Sequence, residues 1–153
     1  MQQARKVVIS VDHDGEYVVD WALDNFIRPE DEVWVVHVFH TERLEKWAGS
    51  PAVQDEIKSL NKKSEDSSKA FGAQMARICA SRKVNAHLVI ESGDPREVIA
   101  QHSRTAQVLI VGNRDHDAIR RAVVGSVSDH LIHCCPCNII IVRHPEVLRK
   151  ASV

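Results

Sequence analysis

No run of this 153-residue chain is apolar over the roughly 20 residues that a membrane-spanning helix needs; the longest, such as Asn138–Val142, are short and broken by a polar residue. No bilayer-spanning helix is therefore expected. There is no excess of positive charge either: Lys and Arg number 20 against 21 Asp and Glu, a formal charge of −1. Binding to a phosphate backbone or an anionic membrane surface needs a basic surplus, so neither nucleic acid nor membrane is expected as a partner. Cysteine is scarce, with Cys79 alone and Cys134, Cys135 and Cys137 crowded into four positions. That spacing is not a disulfide framework and fits a reducing compartment, the cytoplasm. The first residues, MQQARKVVISVD, lack the apolar core of a signal peptide, and no N-x-S/T acceptor occurs. Two phosphate-binding signatures are missing as well: there is no G-x-x-x-x-G-K-[ST], and no G-x-G-x-x-G follows the first apolar run. Walker-type hydrolysis and nicotinamide-dependent hydride transfer lose ground accordingly.

What remains is an ordinary globular composition, 44% hydrophobic and 27% charged, at the length of one domain. Short β-branched runs recur at Lys6–Val11, Glu32–Phe39, Ala86–Glu91, Val108–Val111 and Cys137–Val142, each reading as a strand buried on both faces. Between them the period is helical. Val18, Val19, Ala22, Leu23 and Phe26 mark one helix; Val53, Ile57, Leu60, Phe71, Met75 and Ile78, with Ser64 and Ser67 filling the stripe, mark one long helix or two from Ala52 to Ser81. Asp94-Pro95-Arg96-Glu97 reads as a helix start with Asp94 as cap, Pro95 at the first position and Glu97 completing a capping box. A last helix is predicted from Ser126. Thr41–Pro51, which carries Trp47, reads as a surface loop, and His144–Val153 carries no helix or strand signal. Strands separated by helices rather than hairpin turns make a parallel sheet, so the fold class is α/β, a five-stranded parallel open sheet with helices on both faces. The expected organisation is a single domain over 1–143 and a tail over 144–153.

Parallel open sheets bind ligands beyond the carboxyl ends of their strands. Those ends are Val11-Asp12-His13-Asp14, His37-Val38-Phe39-His40 and Val111-Gly112-Asn113-Arg114. If strands one and four adjoin, Asp12 and the Gly112 turn flank one cleft. Further on stands Gly125-Ser126-Val127-Ser128-Asp129, in which Ser126 and Asp129 have the spacing of a capping box and a helix start offers amides to a phosphate.

Val7–Asp12, Gly93-Asp94-Pro95, Val111-Gly112-Asn113-Arg114 and Gly125-Ser126-Val127-Ser128-Asp129 together resemble the universal stress protein family, over nearly the whole chain from Lys6 to Arg143. The resemblance implies a strand order of 3-2-1-4-5, a homodimer formed through strand five (Cys137–Arg143), and a role in stress response. It also implies binding of ATP, or of AMP or ADP, by one subgroup and a nucleotide-free life for another. By that resemblance Val11, Asp12 and Val38 border the base and ribose, Val111 and Gly112 line the cleft, and Arg114, Gly125, Ser126, Val127 and Ser128 hold ribose and phosphates. The family's glycine pattern matches at Gly112 and at Gly125-Ser126, but Asp115 stands where the middle glycine is expected. Its carboxylate faces the phosphates: like charges ~5 Å apart cost on the order of 1–3 kcal/mol at an intermediate dielectric. Arg114, Arg120 and Arg121 offset this, Asp117 adds to it, and a magnesium ion near Asp115 is a further expectation. A non-catalytic nucleotide switch, in which ligand orders the Asn113–Val124 loop, is the leading reading. A nucleotide-free dimeric scaffold is the alternative.

Other constellations are weaker. His130, His133, Cys134, Cys135 and Cys137 lack paired zinc-ligand spacing, so most of these cysteines read as small buried hydrophobes, with a redox role open to an exposed Cys134 or Cys135. His37 and His40 fall on opposite faces of a strand and do not form a natural ligand pair. No nucleophile, base and orienter assemble, since Ser126 lacks a G-x-S-x-G elbow, and slow hydrolysis of bound ATP is the most activity expected. Arg149-Lys150-Ala151-Ser152 resembles a basophilic kinase site, a match that chance supplies often.

Overall fold

The computed structural model describes residues 4–42, 49–113 and 125–152. The elements in chain order are β1 (Lys6–Val11), α1 (Glu16–Asn25), β2 (Glu32–Phe39), α2 (Pro51–Ser81), β3 (Ala86–Ser92), α3 (Pro95–Ser103), β4 (Val108–Asn113), α4 (Ser126–Cys134), β5 (Asn138–Arg143) and α5 (Pro145–Ala151). All strand pairings are parallel, and the sheet order is β3-β2-β1-β4-β5. The expected α/β architecture is therefore the observed one.

Side chains alternate along each strand, and this sorts the core into two halves. Val7, Ile9, Val11, Val33, Val35, Val108 and Ile110 pack against Val18, Val19 and Ala22 of α1 and Phe71, Met75 and Cys79 of α2. On the opposite face Val8, Val36, Leu109 and Val111 pack against Ile99 of α3 and Leu131 of α4. Both faces of the central strands are covered, which is why β1, β2 and β4 read as nearly unbroken apolar runs. At the start of β1 the Arg5 guanidinium donates Nε and Nη2 to Asp31 at 3.0 and 2.7 Å, tying it to the turn before β2.

Three expectations need correction. The stripe on α2 is buried only in its second half, at Ser68, Phe71, Gly72, Met75 and Cys79; Ser68 rather than Ser67 faces the sheet, and Val53 and Leu60 are exposed. The reason is length: a 31-residue helix runs ~46 Å, about twice a seven-residue strand, so its first turns pass beyond the sheet. Second, Gly125 is the N-cap of α4, Ser126 is its first helical residue, and no side chain caps it. The capping box is not formed, because Ser126 lies one position too far along to be its anchor. Third, Pro145–Ala151 is helical. His144 caps it by accepting the Glu146 N–H at 3.3 Å, Pro145 takes the first position, and Arg149 and Lys150 sit in the last turn, where cations suit the helix dipole. Seven residues give too little periodicity for a helix signal to stand out. The expected loop around Trp47 and the charged segment from Arg114 to Val124, with Asp115, lie outside the described residues.

Candidate functional site

The chain runs from β1 through β2 to β3 in one direction across the sheet, then returns to place β4 and β5 on the other side of β1. Strands β1 and β4 are thus neighbours at the point where the order reverses, and their carboxyl ends diverge there. A cavity of about 630 Å³ opens at that point. Its wall is built from Ser10, Val11, Asp12 and His13 at the end of β1 and His37–His40 at the end of β2. Val111 and Gly112 of β4 and Gly125–Ser128 at the start of α4 complete it. Ser64 of α2 and Pro95 and Ile99 of α3 close the sides.

The described members of the expected set, Val11, Asp12, Val38, Val111, Gly112, Gly125, Ser126, Val127 and Ser128, all line this one cavity. Arg114 and Asp115 lie outside the described residues. His13, Phe39 and His40 had a signal in their position at strand ends, whereas Ser64, Pro95 and Ile99 reach the cavity from helices and had none. His37 and His40 both border it despite their alternate register, because β2 stops at Phe39 and strand alternation no longer constrains His40. A second concavity of about 700 Å³ lies alongside, between α2 and the ends of β2 and β3, lined by Lys58, Lys62, Glu65, Asp66 and Lys69 among others. It is not at the reversal of strand order.

The cavity's local geometry is held by hydrogen bonds rather than by caps alone. Asp12 Oδ1 accepts the Asp14 N–H at 3.1 Å, and the Asp12 carbonyl accepts the Gly15 N–H at 2.9 Å, turning the chain sharply out of β1. Ser128 Oγ donates to the Gly112 carbonyl at 3.3 Å and so joins the first turn of α4 to the end of β4. Gly112 is required by close approach: a Cβ there would lie 2.5 Å from Tyr17 Oη and 2.8 Å from Val18 Cγ2. Among the described residues no atom lies within 4 Å of where a Gly125 Cβ would stand, and Gly125 lines the cavity.

His37 is the buried polar residue of the floor, 2% exposed. Its Nδ1 lies 2.9 Å from the Val11 carbonyl, which can only accept, so Nδ1 carries the hydrogen and Nε2 accepts from Ser68 Oγ at 3.3 Å. The ring also meets His13 edge-on at 4.8 Å and Phe71 at 4.9 Å. Burial lowers its pKa below 6.5, and His13 lowers it further, against the opposing pull of the Val11 carbonyl and Asp12. The sign of the linkage follows: as pH falls below 6.5 the unfolded chain takes up a proton that folded His37 refuses, so this stabilisation is present above 6.5 and lost as pH drops toward the folded value. His37→Asn, which keeps a donor for Val11 but cannot titrate, is expected to flatten the fall of Tm between about pH 6.5 and pH 5. A fall as steep as in the parent protein would remove His37 as its cause.

Among the described residues no group of three or more His, Cys, Asp or Glu is placed to hold a metal ion, and no helix is long and apolar enough to cross a membrane. The expectation that most of Cys134, Cys135 and Cys137 are small buried hydrophobes is corrected: Cys134 is exposed and Cys135 and Cys137 are half-buried, because they sit where α4 gives way to the edge strand, while Cys79 of α2 is the buried cysteine.

With this geometry in place, residues 4–143 match the model of the universal stress protein family. The chain belongs to that family. Universal stress protein PHOS32 of Arabidopsis thaliana is 28% identical over 160 residues, spanning 93% of this chain and 66% of that relative. The chain thus spans just under two-thirds of that relative's length. Universal stress protein UspA from Lactobacillus plantarum has the same fold, with a TM-score of 0.74 at 17% identity, covering 94% of this chain and all of that one. A universal stress protein family protein from Arabidopsis thaliana, solved with AMP bound, superposes with a TM-score of 0.64 at 18% identity over 94% of each chain.

Proposed function

We propose that the cavity between β1, β4 and α4 takes an adenine nucleotide, and that the chain acts as a non-catalytic stress-response switch in the cytoplasm. One observation carries this reading: the nine described residues of the expected nucleotide set, drawn from four separated segments, surround a single cavity of about 630 Å³ at the reversal of strand order. The division of labour follows from chemistry. Val11, Val38 and Val111 offer an apolar slot for a base, and the Asp12 carboxylate offers acceptors to ribose hydroxyls. The amides of Ser126, Val127 and Ser128 at the positive end of α4 suit phosphate, with Arg114 as the expected cation and a magnesium ion near Asp115 as a further component. The AMP-bound relative supports the same ligand class. No nucleophile with a base and an orienter is part of the reading. The Cys137–Arg143 segment, with β5 at the sheet edge and its isoleucines half-buried, is the proposed homodimer contact, since pairing there hides an unpaired apolar edge.

Titration calorimetry with ATP, ADP and AMP, with and without magnesium, tests the nucleotide reading, together with mass spectrometry of the purified chain for co-purified nucleotide. Heat is expected with at least one of them. Ser126→Asp, which sets a carboxylate among the phosphate-facing amides, is expected to weaken binding by about tenfold or more, ~1.4 kcal/mol. Absence of heat and of co-purified nucleotide in a folded protein overturns the reading and favours the nucleotide-free scaffold, which sedimentation of the same sample then checks as a dimer.

A further inference from the structure

The first half of α2 carries an apolar face that the described fold leaves uncovered. Its inward side is already engaged. Ser64 Oγ donates to the His40 carbonyl at 3.0 Å, and Asn61 accepts the Glu42 N–H at 2.8 Å while its amide donates to the Glu42 carbonyl at 3.0 Å. Those bonds fix the rotation of the helix about its own axis. Val53 and Leu60 are consequently held outward, 43% and 49% exposed, with Ile57 half-buried beside them.

Charge is sorted along the same face. Asp55 pairs with Lys58 at 3.9 Å and Glu65 with Lys69 at 2.5 Å, both within the helix. The exposed Glu56 and Lys63, in contrast, enter no hydrogen bond or ion pair among the described residues. Seven positions separate them, about 10.5 Å along the axis, too far for the i,i+4 contact that pairs helical charges. Val53, Glu56, Leu60 and Lys63 follow one another at intervals of 3, 4 and 3, which puts all of them on one side of the helix. A face with an acid towards one end, a base towards the other and a leucine between them is complementary to its own reverse.

We propose that α2 of one copy packs antiparallel on α2 of a second copy, with Glu56 of each facing Lys63 of the other and the two Leu60 side chains meeting near the two-fold axis. Val53 and Ile57 extend the apolar contact on either side. A parallel pair would set Glu56 against Glu56 and Lys63 against Lys63, which is destabilising. The antiparallel arrangement closes on itself, because a two-fold contact uses the same patch on both copies. So few apolar side chains make a small patch, and the association is weak and concentration-dependent. It is separate from the Cys137–Arg143 edge proposed above, and a copy using both contacts joins dimers into larger assemblies.

Sedimentation velocity of the full chain over a range of concentrations tests this, together with carbodiimide crosslinking of an equal mixture of isotope-labelled and unlabelled chain. A Glu56–Lys63 link that joins a labelled peptide to an unlabelled one is expected. Glu56→Lys and Lys63→Glu are each expected to weaken self-association by about tenfold, since two attractions become two repulsions. Mixed with each other, the two variants regain both attractive pairs and are expected to associate as well as the parent chain does with itself. Both positions are exposed, so thermal unfolding at the parent Tm is the expected check on folding. Weakening in each variant without recovery in the mixture, a Glu56–Lys63 link confined to single chains, or an assembly that neither variant changes overturns the assignment. No nucleotide enters these readouts, so this proposal and the nucleotide reading fail separately.

Discussion

Leu131→Ala is expected to lower stability by about 2–5 kcal/mol, the range for emptying a buried leucine site that cannot collapse. Leu131 is fully buried, and it and Ser128 are the buried residues of the nine-residue α4. Its neighbours in the cluster, Val8, Val36, Leu109 and Val111, are set by hydrogen-bonded central strands and cannot move inward to fill the space. A helix this short has little stability of its own, so its hold on the sheet depends on packing, in which Leu131 is the fully buried apolar side chain and Val127 is half-buried beside it. Urea unfolding measures the effect as a lower midpoint at unchanged slope. Ile132→Ala is the control: Ile132 is 44% exposed on the same helix, and its loss is expected to cost about 0.5 kcal/mol or less. Equal costs at the two positions would show that α4 is not anchored through Leu131. Because the Gly125–Ser128 turn begins this helix, loosening it is also expected to weaken any ligand held there.

Gly112→Ala is expected to cost about 1–3 kcal/mol through overpacking. The new Cβ meets Tyr17 Oη at 2.5 Å and Val18 Cγ2 at 2.8 Å. Val18 is buried in the core under α1 and cannot yield. Tyr17 is held as well: its hydroxyl donates to the Asn113 carbonyl at 3.3 Å, and its ring packs edge-on against His144 at 4.8 Å, at the cap of α5. The strain therefore spreads along two paths, only one of which involves the hydroxyl. In a Tyr17→Phe background the shorter contact disappears, and Gly112→Ala is expected to cost measurably less than in the parent chain. A double-mutant cycle by urea unfolding reads this coupling. Strict additivity would mean that the substitution is absorbed elsewhere, and the close approach of β4 to α1 would lose its explanation for the glycine.

Much of this was legible along the chain, and the exceptions share a cause. Strands β1 and β2 have the bounds that their β-branched runs predict, because a strand buried on both faces excludes polar residues almost completely. Asp94 and Pro95 begin α3 as local chemistry requires, with Asp94 Oδ1 accepting the Arg96 N–H at 2.9 Å. The start of α4 resisted the same reasoning. Ser-x-x-Asp has capping-box spacing, but the hydroxyl nearest a partner is that of Ser128, and the partner is the Gly112 carbonyl, sixteen residues away. Ser67 and Ser68 of α2 differ by one position, and only the angle at which the helix crosses the sheet selects Ser68 for the floor beneath His37.

Local pattern, then, determined the number of strands, their parallel sense and the family motif, since periodicity and turn chemistry act over a few residues. Periodicity left open that β1 lies between β2 and β4; the family resemblance implied that order, and the tertiary structure has it and opens the ends of those strands into one cavity, since adjacency in a sheet joins residues a hundred positions apart. Tertiary structure alone decided the protonation of His37, whose partners Val11 and Ser68 come from different elements. Burial and hydrogen-bond partnership depend on what the rest of the chain brings near, and no window of sequence contains that.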